Sequence, residues 1–221
     1  MALDATHYWQ DRWAEGRTGW HQDRPTPLML KHWPALDVAP GSRVFVPLAG
    51  KSQDMSWLWG QGYRVLGVEL SQLAIEQFFA ESGLEPRETP TRYGRHYEAG
   101  GIEIICGDVF ALDDAVLRDC DAVFDRAALI ALPPPLRRRY VDELYARLPA
   151  GCHGLLITLE YLQHETEGPP FSVAEDEVRT LFSPGWSVEL LERRDILTED
   201  ERSGPGGRTS LHTSVYRLVR R

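Results

Sequence analysis

The chain has 221 residues, 43% of them hydrophobic and 26% charged, which suits one globular domain large enough to bury a continuous core. Its 33 acidic residues outnumber 24 basic ones, and the formal charge of −9 argues against nucleic acid or an anionic membrane as partner. No window reaches the ~18 apolar residues of a membrane span, and Met1 to Arg12 lacks the apolar core of a signal peptide. The cysteines Cys106, Cys120 and Cys152 and the scattered histidines offer neither a disulfide framework nor a metal clamp. The expectation is a cytoplasmic protein with no catalytic metal.

The N-terminal stretch places Trp9, Trp13, Trp20 and His21 before any strand, with Trp9 and Trp13 one helical turn apart. Residues 1–42 are therefore expected to form a lid or cap. Residues 43–48 read as a strand ending at Ala49-Gly50, with Ser52 capping a helix that runs to Gly60. Residues 64–70 are a second strand, and Ser71 caps helix 72–82, which Gly83 ends. Two β-like runs flank Gly100-Gly101 as a hairpin feeding strand 102–106. Strand 121–125 follows.

Pro133 to Pro135 then open a helix with an apolar stripe of Leu136, Tyr140, Val141, Leu144 and Leu148. The basic run Arg137 to Arg139 on that helix reads as a solvated face. Strand 154–160, a short acidic helix over 173–182, and strands 186–194 and 211–219 joined by a Gly/Pro-rich loop at 199–207 complete the chain. The reading is a single α/β domain over 1–221, a doubly wound, Rossmann-like sheet of seven strands closing in an antiparallel hairpin. That pattern resembles the class I methyltransferase fold. Rossmann dehydrogenases would instead continue βαβ to the end.

Ligands of such sheets lie beyond the carboxyl ends of the strands, near the switch in strand order. The first turn, Pro47 to Ser52, imitates the end of a phosphate loop, but Phe45 stands where its first glycine belongs, and Gly50 is too isolated for a dinucleotide fingerprint. Glu69 ends the second strand 21 residues beyond Leu48, the place for an acid that accepts hydrogen bonds from a ribose. Asp108 and Val109 follow the third strand, where an acid can accept from an adenine amine and an aliphatic side chain can cover the ring. An Asp before a helix is equally an ordinary N-cap. Asp125-Arg126 ends the fourth strand as a charged pair at the edge where ligands bind.

The segments YWQDRWAEGRTGWH (8–21), FVPLAGKSQDMSWL (45–58), GVELSQLAIEQFF (67–79), GDVFAL (107–112) and DRAALIALP (125–133) occur in that order. With them the chain resembles the bacterial thiopurine S-methyltransferase family along essentially its whole length. The resemblance implies a monomeric enzyme with S-adenosyl-L-methionine as cofactor and a small thiol, thiopurine included, or a selenium or tellurium species as acceptor. It puts Trp13, Leu48, Glu69 and Arg126 on cofactor-contacting positions, Asp108-Val109 beside the adenine, and Trp20 and His21 in the acceptor pocket. Trp20 departs from the phenylalanine expected there, which bears on acceptor size and preference.

Methyl transfer from a sulfonium needs the nucleophile held behind the methyl group. An acidic heteroaromatic thiol is largely ionised near neutrality, so no general base is assigned, and Arg126 is the residue expected to position the acceptor. Two other classes are open to a sheet of this kind: a nicotinamide-dependent oxidoreductase, and a non-catalytic module that binds S-adenosylmethionine.

Overall fold

The computed structural model describes residues 5–203 and 208–221, the side chains of residues 5–7, 201 and 203 excepted. Its centre is a nine-stranded sheet. The five parallel strands expected from the sequence are all present: β1 (Arg43–Pro47), β2 (Arg64–Glu69), β5 (Ile102–Cys106), β6 (Ala122–Arg126) and β7 (His153–Glu160). The closing pair, β8 (Trp186–Asp195) and β9 (His212–Arg220), is antiparallel, and β9 inserts between β7 and β8.

Two further strands bring the sheet to nine: β4 (Gly94–Ala99), the first arm of the expected hairpin at Gly100-Gly101, and β3 (Arg87–Thr91), which was not expected. β4 pairs antiparallel with β5 across the Gly100-Gly101 turn, and β3 pairs antiparallel with β4. The mostly exposed, polar residues of β3 carry no clear alternation, which hid it in the sequence. With the order β3-β4-β5-β2-β1-β6-β7-β9-β8, the chain reverses its direction of winding at β1, between β2 and β6. The crevice at that reversal is where a ligand belongs.

Both expected helix caps form. The Ser52 hydroxyl accepts from Asp54 N at the start of α3 (Gln53–Gly60), and Ser71 does the same for Ala74 N at α4 (Gln72–Glu81). One core layer, with Met55, Leu58, Ile75 and Phe78, lies under α3 and α4; the other, with Tyr140, Leu144, Phe182 and Trp186, fills the opposite face. The acidic helix α7 (Glu175–Phe182) covers that second layer through Val178, Leu181 and Phe182.

The helix opened by the triple proline, α6 (Pro134–Arg139), widens into a π turn over Tyr140–Leu144 and tightens into a 3-10 turn over Tyr145–Arg147. The cause sits in the core. Tyr140 and Tyr145, five residues apart, both donate to Asp125 Oδ2, at 2.8 and 2.9 Å. Residues at that spacing diverge on an α-helix and share a face only when the turn is widened.

The basic run on this helix is not a solvated face throughout. Arg137 is buried, with Nη1 donating to Ser172 O and to Glu177 Oε2, both at 3.0 Å. Arg138 and Arg139 are exposed.

N-terminal to β1 lie α1 (Ala5–Ala14), α2 (Pro27–His32) and a 3-10 turn at Trp33–Leu36. Residues 1–4 of the expected lid lie outside the described residues, as do 204–207 of the Gly/Pro-rich loop, whose first part forms α8 (Glu199–Ser203). No described helix is long and apolar enough to cross a membrane.

Candidate active site

A cavity of about 830 Å³ opens at the carboxyl ends of the parallel strands. Seven of the eight site residues expected from the sequence line it: Trp13, Trp20, Leu48, Glu69, Asp108, Val109 and Arg126. His21 instead lines a small adjoining recess of about 30 Å³, together with Lys51, Ser52, Asp54 and Arg126.

Glu69 ends β2 almost fully buried. Its Oε2 accepts from Gly50 N and its Oε1 from Ser71 N, each at 2.8 Å. The carboxylate thereby ties the turn after β1 to the turn after β2, and about two of its four acceptor sites remain for a ligand. Burial pushes the Glu69 pKa up, and the backbone N–H groups of Ser71, Gly50 and Leu70 pull it back.

The turn after β1 is shaped for close approach. Leu48 has φ 48° and Gly50 φ 54°, both left-handed. A side chain at Gly50 would put its Cβ 3.1 Å from Trp13 Cζ2, because the Trp13 indole lies directly on this glycine. Trp20 stands edge-on to Trp13 at 5.7 Å and to Trp9 at 5.1 Å. The N-terminal segment is thus packed as a roof of aromatic rings over the first turn.

Asp108 and Val109 sit beyond β5. Asp108 Oδ1 accepts from Phe110 N at 2.9 Å, an ordinary capping bond, while the residue also faces the cavity. Val109 is buried beside it. Phe110 forms the outer wall, with Arg139 Cζ 4.2 Å from its ring centroid.

Beyond β6 the charged pair divides its work. Asp125 is wholly buried; besides the two tyrosines it accepts from Leu129 N at 3.1 Å, and it fixes the following turn. Burial raises its pKa, opposed by those hydrogen bonds. Ala127 in that turn has φ 65°. The Arg126 guanidinium makes no hydrogen bond or ion pair among the described residues; burial lowers its pKa, and only attraction to Asp54 counters this. The cation is held in the cavity wall without a partner.

Two residues escaped the sequence reading. Asp54, buried on α3, accepts from Thr26 N at 2.6 Å, Thr26 Oγ1 at 3.0 Å and Ser52 Oγ at 2.9 Å, and so pins the N-terminal segment to the sheet. Arg12 lines the cavity from α1. An acid in the first turn of a helix looks like an unremarkable dipole partner in sequence, and Arg12 is one charge among many.

The residues present suit S-adenosylmethionine. Glu69 has spare acceptors for hydroxyl donors, Asp108 and Val109 line the same cavity, and Trp13 covers the left-handed turn after β1. No glycine-dense phosphate cradle accompanies them.

Residues 4–221 match the family model for thiopurine S-methyltransferase. A thiopurine S-methyltransferase of Nitrosomonas eutropha is 60% identical over 213 residues, covering 96% of this chain and 97% of that protein. One from Xanthomonas campestris pv. campestris is 57% identical over 215 residues, covering 97% and 99%. Among solved structures, the fold is similar to a methyltransferase of Anabaena variabilis (TM-score 0.66, 14% identity, 99% of this chain and 96% of that one). It is likewise similar to the 1,6-didemethyltoxoflavin-N1-methyltransferase of Burkholderia thailandensis with bound S-adenosylhomocysteine (TM-score 0.65, 16% identity, 97% and 86%). The oxidoreductase alternative gives way to this assignment: the chain belongs to the thiopurine S-methyltransferase family and takes its methyl group from S-adenosylmethionine.

Proposed function

We propose that this enzyme methylates the sulfur of a small heteroaromatic thiol such as a thiopurine, with selenium and tellurium species as further acceptors. The observation that carries the proposal is Arg126, a cation without a hydrogen-bonded partner in the same cavity as Glu69. Bound S-adenosylmethionine supplies an electrophilic methyl group on a sulfonium sulfur. The chain's own residues have three tasks around it.

Glu69 binds the ribose, with Leu48, Trp13, Asp108, Val109 and Arg126 completing the cofactor's surroundings. Arg126 attracts the acceptor and favours its thiolate, so that the nucleophile arrives already ionised and no general base is needed. The segment 1–42 acts as a lid, with Trp13 and Trp20 excluding water from the sulfonium. Trp20, in place of a smaller ring, narrows the acceptor end, and His21 supports it from the adjoining recess. This reading is of a single-domain, cytoplasmic, monomeric enzyme with a small-molecule acceptor; buried Cys120, with its thiol pKa pushed up to about 12, and buried Cys152 suit a reducing compartment.

Replacing Arg126 by Met tests the assignment. Turnover of mercaptopurine should fall at least tenfold, the scale of one lost charged hydrogen bond, about 1.5–3 kcal/mol, while calorimetric affinity for S-adenosylhomocysteine changes far less. Unchanged turnover would remove Arg126 from the acceptor site.

A further inference from the structure

The cavity carries more positive charge than its cofactor uses. Four arginines line it, Arg12, Arg126, Arg139 and Arg194, against two acids, Glu69 and Asp108, in a chain whose formal charge is −9. Arg139 is satisfied by Glu143 at 2.8 Å and by the Phe110 ring. Arg12, Arg126 and Arg194 have no ion-paired carboxylate among the described residues. S-Adenosylmethionine is itself a net cation, with a sulfonium and an ammonium against one carboxylate. An anionic acceptor would balance this charge.

Arg12 is only partly satisfied, and it is set apart by a buried donor. Its Nη1 donates to the Tyr8 hydroxyl at 3.0 Å, and its guanidinium lies over the Tyr8 and Trp20 rings at 5.2 and 5.4 Å. Nε is shut off from solvent with no partner. Aromatic faces attract a cation, but they leave its N–H donors unused. A guanidinium set over two aromatic rings with donors to spare can pair with a planar carboxylate. It is carried on α1, beside Trp13, so it reaches the cavity only from the roof.

We propose that Arg12 is a specificity-determining residue that holds an acidic substituent of the acceptor, so that the preferred acceptors are heteroaromatic thiols bearing a carboxylate. The inference rests on the S-methylation reading above. Arg126 faces the thiolate, Arg12 faces the ring's second negative charge, and Arg194, exposed on β8, adds to the attraction at the mouth. Binding of such a dianion would draw the roof down onto the cofactor, joining recognition to closure.

The test compares mercaptopyridine with mercaptonicotinate, two heteroaromatic thiols that differ by one carboxylate, in the full-length enzyme. Wild type should show a kcat/KM for mercaptonicotinate higher by roughly tenfold or more, the scale of one charged hydrogen bond. Arg12→Gln should collapse that preference, and Arg12→Lys should restore part of it. Calorimetric affinity for S-adenosylhomocysteine should be the same in all three. Equal preference in wild type and Arg12→Gln overturns the proposal. So does a parallel loss of S-adenosylhomocysteine affinity, because Arg12 would then hold the cofactor's own carboxylate. If wild type methylates neither thiol, the S-methylation reading fails separately. Binding of mercaptonicotinate to the S-adenosylhomocysteine complex, lost or kept in Arg12→Gln, then still decides the role of Arg12.

Discussion

The Trp13 indole rests on Gly50, 3.1 Å from where a Cβ would stand, and the N–H of the same Gly50 donates to Glu69. Roof, first turn and buried acid therefore meet at one glycine. Gly50→Ala should lift Trp13 and strain a φ of 54° that side chains rarely adopt. We expect S-adenosylhomocysteine affinity to fall by about tenfold or more, the counterpart of roughly 1–3 kcal/mol of strain, and the ligand-induced change in tryptophan fluorescence to shrink. Wild-type affinity in this variant would mean the contact is incidental.

Glu69→Ala should weaken S-adenosylhomocysteine binding by about 1.5–3 kcal/mol in calorimetry. Glu69→Gln should be no milder. Both carboxylate oxygens accept a backbone N–H, and an amide can satisfy only one of them while turning its own N–H₂ toward the other.

Glu69 also sets opposing pH trends. Burial raises its pKa, so the folded chain without ligand holds this proton more tightly than the unfolded chain. Its contribution to folding is therefore full below the ordinary glutamate range and is lost as pH rises through the raised value. The proposed ribose contact needs the carboxylate and moves the other way: S-adenosylhomocysteine affinity should begin to drop at a pH above 4.5, the ordinary value, as acid is added. A calorimetric series with wild type and Glu69→Ala checks this; the same pH dependence in both would assign the effect elsewhere.

Asp125 holds the turn from which Arg126 projects. Asp125→Ala removes the acceptor of three buried hydrogen bonds and orphans the hydroxyls of Tyr140 and Tyr145. The expected cost is about 3 kcal/mol or more in denaturant unfolding. Replacing both tyrosines by Phe should also destabilise, by leaving the buried carboxylate with one donor. A loss under 1 kcal/mol for Asp125→Ala, about the average for any point substitution, would contradict the network.

His21 lies in the recess beneath the aromatic roof, where burial first, then Lys51 and Arg126, lower its pKa below 6.5, against Glu81 and Asp23. A depressed histidine favours the packed arrangement while neutral. That contribution is complete above pH 6.5 and is lost as pH falls through the lowered value. Protection of residues 8–24 from proteolysis by S-adenosylhomocysteine should therefore weaken in mild acid, and His21→Asn should flatten the dependence. Protection independent of pH in wild type would remove His21 from the roof.

The sequence announced the sheet through Val44 to Val46, Val65 to Val68 and Leu155 to Ile157, whose apolar runs survive because both faces of a parallel sheet are covered. It also announced Glu69, since an acid closing such a run needs a purpose. It did not announce β3, whose residues face water on an edge, or the burial of Arg137, which depends on Glu177 arriving from a distant helix. Asp54 and Arg12 were hidden for the same reason. Their partners, Thr26 for one and the Tyr8 and Trp20 rings for the other, are set by packing of the N-terminal segment against the sheet.

The most direct test of the central claim follows the methyl group. Enzyme, mercaptopurine and S-adenosylmethionine carrying a carbon-13 methyl label are incubated together, and the product is read by NMR and mass spectrometry. The account predicts one labelled methyl per product, bonded to sulfur, with S-adenosylhomocysteine formed in equal amount and both formed at least tenfold more slowly in Arg126→Met. Label on a ring nitrogen, or S-adenosylmethionine bound tightly with no thioether formed from any thiol, would contradict it.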